Sequence, residues 1–68
     1  MSIWRIIMNR ADVAQKKMII NREKGEKLFQ GLIDQYGADG MIFYKRAQAL
    51  EEIGLYKEAL EDYKKAKS

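Results

Sequence analysis

The sequence contains no cysteine, no histidine and no proline. Without cysteine there is no disulfide to staple a small fold, and without cysteine or histidine the thiolate and imidazole ligands of structural zinc are gone. The usual proton shuttle and thiolate nucleophile are missing as well. The lack of proline, with only five glycines, removes the main helix breakers and leaves long stretches free to coil. No apolar run approaches the roughly 20 residues of a membrane span, so none is expected. The opening Met1 to Arg10 has no basic region before its short apolar stretch and no small-residue cleavage site. It does not read as a signal peptide, and the expected location is cytoplasmic.

What is present is apolar and helix-forming. A hydrophobic content of 47% supplies enough surface to fold, and the chain is rich in Lys, Glu, Ala, Leu, Ile and Gln. The expectation is an all-α fold in one small domain over residues 1–68. At 68 residues such a core rarely provides more than about 3–5 kcal/mol, so oligomerisation or unusually close helix packing is needed. The net charge of +3 is uneven. Residues 1–27 carry seven Lys and Arg against Asp12, Glu23 and Glu26, while residues 28–68 carry six against seven acids. Only the N-terminal half therefore has an electrostatic claim on nucleic acid or lipid.

The clearest punctuation is Tyr36-Gly37-Ala38-Asp39-Gly40. Gly37 suits a left-handed C-cap and Asp39 an N-cap, so one helix ends near Tyr36 and another starts near Gly40. Gly54 marks a second break, which predicts helices over about 40–53 and 56–67. The first carries two apolar stripes, Phe43, Ala47 and Leu50 beside Ile42, Ala49 and Ile53, and so is packed on two sides. The second carries one stripe of Tyr56, Ala59, Leu60, Tyr63 and Ala66, opposite a solvated charged face. Residues 2–36 admit two readings. One is a helical hairpin, 2–19 and 23–36, turning near Ile20-Asn21-Arg22. The other is a single helix whose heptad seam runs through Trp4, Ile7, Ala11, Ala14, Met18, Asn21, Gly25, Leu28 and Leu32, with Asn21 as a polar seat that fixes register.

From Gly40 onward the chain resembles a tetratricopeptide (TPR) repeat, a helix-turn-helix unit. Phe43, Ala47 and Leu50 carry the resemblance on the first helix. The run Gly54, Tyr56, Ala59, Leu60, Tyr63 and Ala66 carries it on the turn and second helix. Arg46 departs from the family, which usually places an apolar residue there. A weaker echo, Gly25, Phe29 and Gly37, looks like the second helix of a preceding repeat, so that 23–68 is the TPR-like region and 1–22 an atypical N-terminal helix. The first helix of that earlier repeat fits poorly, with Asn9, Val13 and Lys16 standing where Phe43, Ala47 and Leu50 stand.

The resemblance implies a protein-interaction or scaffold module. Such repeats become stable by stacking, and roughly three are needed. One and a half repeats fall short, so a homo-oligomer, with a dimer favoured, is expected through Trp4, Ile7, Ala11, Ala14 and Met18. The family's peptide groove would map to Met41, Tyr44, Gln48, Glu51 and Glu52, and with Tyr44 and Gln48 at its key places the carboxylate clamp of the family is not reproduced. A second reading has Lys16, Lys17, Arg22 and Lys24 meeting the phosphates of nucleic acid. A third lays Ile3, Trp4, Ile6, Ile7 and Met8, with Arg5 and Arg10, on a membrane surface. No catalytic, cofactor-binding or metal-binding residues are expected, since no spacing sets a base beside a nucleophile.

Overall fold

In a computed structural model that describes residues 3–67, the chain forms four helices and, among those residues, no strand. They are α1 (Ile3–Ile20), α2 (Arg22–Tyr36), α3 (Gly40–Glu52) and α4 (Tyr56–Lys67). The fold is all-α, and the N-terminal half is the hairpin rather than the single long helix. Asn21 decides this. Its backbone is extended (φ −147°, ψ 100°), and its Oδ1 accepts from the Lys24 N–H at 3.2 Å. A residue that satisfies an orphan amide as an N-cap ends one helix and begins the next. Asn21 is therefore a turn, not a polar seat on a coiled-coil seam, and Gly25 and Leu32 of that seam lie inside the hairpin.

The other two junctions use the residues the sequence marks. Gly37 (φ 90°, ψ 178°) lies in a region open only to glycine, beyond the left-handed helical conformation expected, and its N–H donates to the Ile33 carbonyl. Asp39 caps α3, accepting from the Met41 N–H at 2.8 Å. Gly54 (φ 85°) makes the last turn, after which the Leu55 N–H returns to the Leu50 carbonyl at 2.8 Å.

The helices form a slab with principal extents of 35 × 26 × 16 Å, two helices deep. α1 packs on α2 and on α3, α3 packs on α1 and on α4, and α2 touches α3 only lightly. Both stripes of α3 are consequently buried within the helix, as two packed sides require, and only Ile53 at its C-cap is half-buried. One core runs through both hairpins from Ile7 to Ala59, and Met18, Phe29 and Ile42 are its largest fully buried side chains. Each is worth about 1.5–3 kcal/mol of burial. Small residues set how near the helices come. A Cβ on Gly25 would lie 2.6 Å from the Met18 backbone N and closer still to its Cα and Cβ, and one on Gly40 would lie 2.9 Å from the Ala66 carbonyl oxygen.

Arg46, the departure from the apolar pattern, is answered by Asp62. The guanidinium donates from Nε at 2.7 Å and from a second nitrogen at 3.0 Å to the two carboxylate oxygens, with Asp62 buried. A paired, two-pronged contact is what permits charge at this depth. Tyr56 and Leu60 differ from expectation in the other direction. They are 67% and 56% exposed, because the side of α4 that carries them has no further helix against it among the described residues.

The mismatch of the first helix also has a structural explanation. The α1–α2 turn is one residue, Asn21, whereas the α3–α4 turn is three, residues 53–55. The second helices correspond at a spacing of 34, with Gly25 over Ala59 and Phe29 over Tyr63. The first helices correspond at 36, because the shorter turn removes two residues. At that spacing Ile7, Ala11 and Ala14 stand where Phe43, Ala47 and Leu50 stand, and all six are buried. The two first helices thus bury matching positions at a spacing of 36, two residues from the pairing with Asn9, Val13 and Lys16.

Candidate interaction surface

α3 is the central helix, covered by α1 on one side and α4 on another. The residues at 41, 44, 48, 51 and 52 follow helical spacing along what remains. Met41 and Gln48 are half-buried, while Tyr44, Glu51 and Glu52 are exposed. The five therefore share one open face, divided into two hollows. The first, of about 670 Å³, is lined by Trp4, Met41, Tyr44, Tyr63, Ala66 and Lys67 beside the α3 cap. The second, of about 360 Å³, lies at the other end and is lined by Gln15, Gln48, Glu51, Glu52 and Tyr56.

The first hollow is aromatic and the second acidic, and one side chain joins them. Tyr63 stacks edge-on against Tyr44, with centroids 5.7 Å apart and planes at 64°. Its hydroxyl donates to Glu51 Oε1 at 2.9 Å. Burial first, then that bond and the nearby carboxylate charge, push the Tyr63 hydroxyl up to about 12. The bond fixes the Glu51 carboxylate at the edge of the acidic hollow and leaves its second oxygen to accept from another donor. Such a face can seat an apolar or aromatic side chain at one end and a cation or amide donor at the other.

The structure separates the residues expected to mediate self-association. Ile7, Ala11, Ala14 and Met18 lie in the core of the chain's own fold, at 5% exposure or less. They hold α1 to its neighbours and present nothing to a second copy. Trp4 alone is exposed, at 48%, and it lines the aromatic hollow. The sequence placed Trp4 on a helix seam and Tyr63 in a repeat core. Their meeting at the α3 face depends on how the hairpins stack, which no local pattern records.

The basic residues of the N-terminal half are dispersed. Arg22 is paired to Glu26 at 3.2 Å and to Glu58 of α4 at 2.9 Å, and Arg10 donates to Gln35 and lies over the Tyr36 ring. Lys16, Lys17 and Lys24 are exposed around the α1–α2 turn. Among the described residues no three His, Cys, Asp or Glu side chains gather as a metal site, and no helix is long and apolar enough to cross a membrane. Asp34 accepts from Gln30, and Asp39 serves as a cap. No family model, curated protein or solved structure matches the chain.

Proposed function

We propose that this chain is a protein-interaction module of the TPR kind, which holds a partner segment on the face of α3 lined by Met41, Tyr44, Gln48, Glu51 and Glu52. The observation that carries the reading is the mixed face itself. An aromatic hollow and an acidic hollow lie end to end on one helix and share the Tyr44–Tyr63–Glu51 contact. Aromatic anchors beside a fixed polar group are how protein interfaces concentrate affinity. The TPR assignment is supported by stacked antiparallel hairpins that meet through their first helices, with small residues at the crossings. A catalytic role is not proposed. Nor is nucleic-acid binding, because Arg22, the one arginine of that group, is already paired with two carboxylates.

The test is selection of a displayed peptide library on the folded chain, followed by calorimetry of the selected peptides. Tyr44→Ala weakens those peptides at least about tenfold, the loss expected of an interface anchor. Lys57→Ala, on the opposite charged side of α4, leaves them unchanged. Failure to select any peptide, or peptides indifferent to Tyr44→Ala, refutes the reading.

A further inference from the structure

We infer that the occupant of the α3 face is helix α1 of a second copy of this chain, docked head to tail so that the helical stack continues from one molecule into the next. The inference deepens the interaction reading and rests on it. It begins from the 36-residue correspondence of α1 and α3. Lys45 of α3 pairs with Asp12 of α1, and Ile42 and Ala49, three before and four after Lys45 on the same helix face, are both fully buried. Their counterparts on α1 are Ile6 and Val13, which are 39% and 59% exposed. The same side of the same packing scheme is thus covered in the second hairpin and open in the first.

The pairing beside this contact repeats the pattern. Asp62 is buried and Arg46 half-buried, whereas their counterparts Leu28 and Arg10 are exposed and border an open groove of about 420 Å³ between α1 and α2. Gly31 lines the groove too, and a Cβ added there would meet nothing within 4 Å. A mid-helix glycine costs about 1 kcal/mol against alanine and here serves no contact inside the chain. It leaves room for a close neighbour outside it, as Gly25 does for Met18 within.

What α3 meets on α1 tells what α1 would meet on a second copy. Lys45 pairs with Asp12 at 2.7 Å, and the counterparts of these two are Asn9 and Gln48, a neutral amide pair. Glu52 and Gln15 line one hollow, and their counterparts are Lys16 and Glu51, a base and an acid. Arg22 pairs with Glu58, and their counterparts at the spacing of 34 are Tyr56 and Lys24. Each of these three pairs thus has a second version divided between the two open ends, and none of the three sets like charges together. This complementarity, not apolar exposure alone, selects another copy as the partner. Contact between two different faces is heterologous, so it extends as a stack rather than closing as a two-fold dimer.

Sedimentation velocity with end-blocked variants tests this. Val13→Glu blocks the α1 face and Tyr44→Glu blocks the α3 face, both at exposed positions. The expected result is concentration-dependent growth beyond a dimer for the native chain and the mass of one chain for each variant alone. An equimolar mixture of the variants doubles that mass and goes no further, since only one working interface remains. Circular dichroism confirms that each variant keeps its helix content. If either loses it, Lys16→Glu and Glu51→Lys replace them, with each weakened alone and association restored on mixing. A native chain that stays monomeric overturns the inference while peptide binding at Tyr44 can still stand. A closed dimer that mixing does not restore overturns the head-to-tail mode.

Discussion

Substituting alanine at two glycines of α2, six positions apart in sequence, should move stability in opposite directions. At Gly25 the new Cβ falls 2.6 Å from the Met18 backbone N and nearer to its Cα and Cβ, all of which move only with α1. Ordinary carbon contacts require about 3.5 Å, so the helices must part by about 1 Å at their crossing. Met18 and Phe29, both fully buried, then lose contact on either side of it. Overpacking of this kind costs about 1–3 kcal/mol after relaxation, against about 1 kcal/mol gained from alanine's helix propensity. Because backbone rather than a flexible side chain blocks the site, the upper end applies, for a net loss of about 2 kcal/mol. At Gly31 nothing lies within 4 Å, and only the propensity gain of about 1 kcal/mol remains. Urea melts followed by far-UV circular dichroism and Trp4 fluorescence, at concentrations low enough to keep the chain dispersed, should separate the two variants by about 3 kcal/mol. Against a total of about 3–5 kcal/mol, Gly25→Ala leaves about 1–3 kcal/mol, so its melt begins at much lower urea. A Gly25→Ala variant as stable as the native chain would refute the close crossing of α1 and α2.

Two further outcomes follow from the polar contacts. Asp62→Ala strands the Arg46 guanidinium and should cost about 3 kcal/mol, the lower end of the range for breaking a buried pair, because Arg46 keeps some contact with water. The double variant Arg46→Met with Asp62→Leu should recover most of that loss in the same melts, and failure to recover would mean that the pair is not buried between α3 and α4. In an alkaline titration of tyrosinate absorbance, one of the four tyrosines should ionise near 12, and Glu51→Gln should bring it down toward its ordinary value. Since the folded value lies above the unfolded 10.0, the stability contributed by Tyr63 is complete below about pH 10 and is lost as the pH climbs to about 12. Four tyrosines titrating together would contradict the Tyr63–Glu51 bond.

The C-terminal hairpin is legible from sequence because its signals are local. Asp39 and Gly54 act within a turn of where they stand, and the two stripes of α3 announce two packed sides without naming what packs there. Asn21 is ambiguous for a physical reason. A single polar residue at heptad spacing can seat a coiled coil or cap a helix, and the choice rests on whether Met18 can close against Gly25, a tertiary contact. The same one-residue turn hides the internal repeat by shifting α1 two places relative to α2. Tyr56 and Leu60 have the spacing of core residues, and periodicity cannot distinguish a face buried by the chain from one left for a neighbour. Of the candidate surface, the α3 residues follow from the resemblance to a tetratricopeptide repeat, while Trp4 and Tyr63 join them only through the stacking of the hairpins.

The two-residue difference between the turns bears on stability and association together. A slab two helices deep buries one side of each hairpin well and leaves its two ends open, and those ends hold Ile6 and Val13 on α1 and Tyr44, Tyr56 and Leu60 on α3 and α4. A chain with so small a core gains from covering either end, so assembly and folding are thermodynamically linked. Yet the ends are not alike. The α1 end offers Asn9, Lys16 and Lys24 where the α3 end offers Gln48, Glu51 and Tyr56, so like ends meet with base against base or acid against acid. Unlike ends meet with each side chain facing a partner it can satisfy. The internal repeat supplies the geometry of a continued stack, and the charges that differ between its two copies supply its direction.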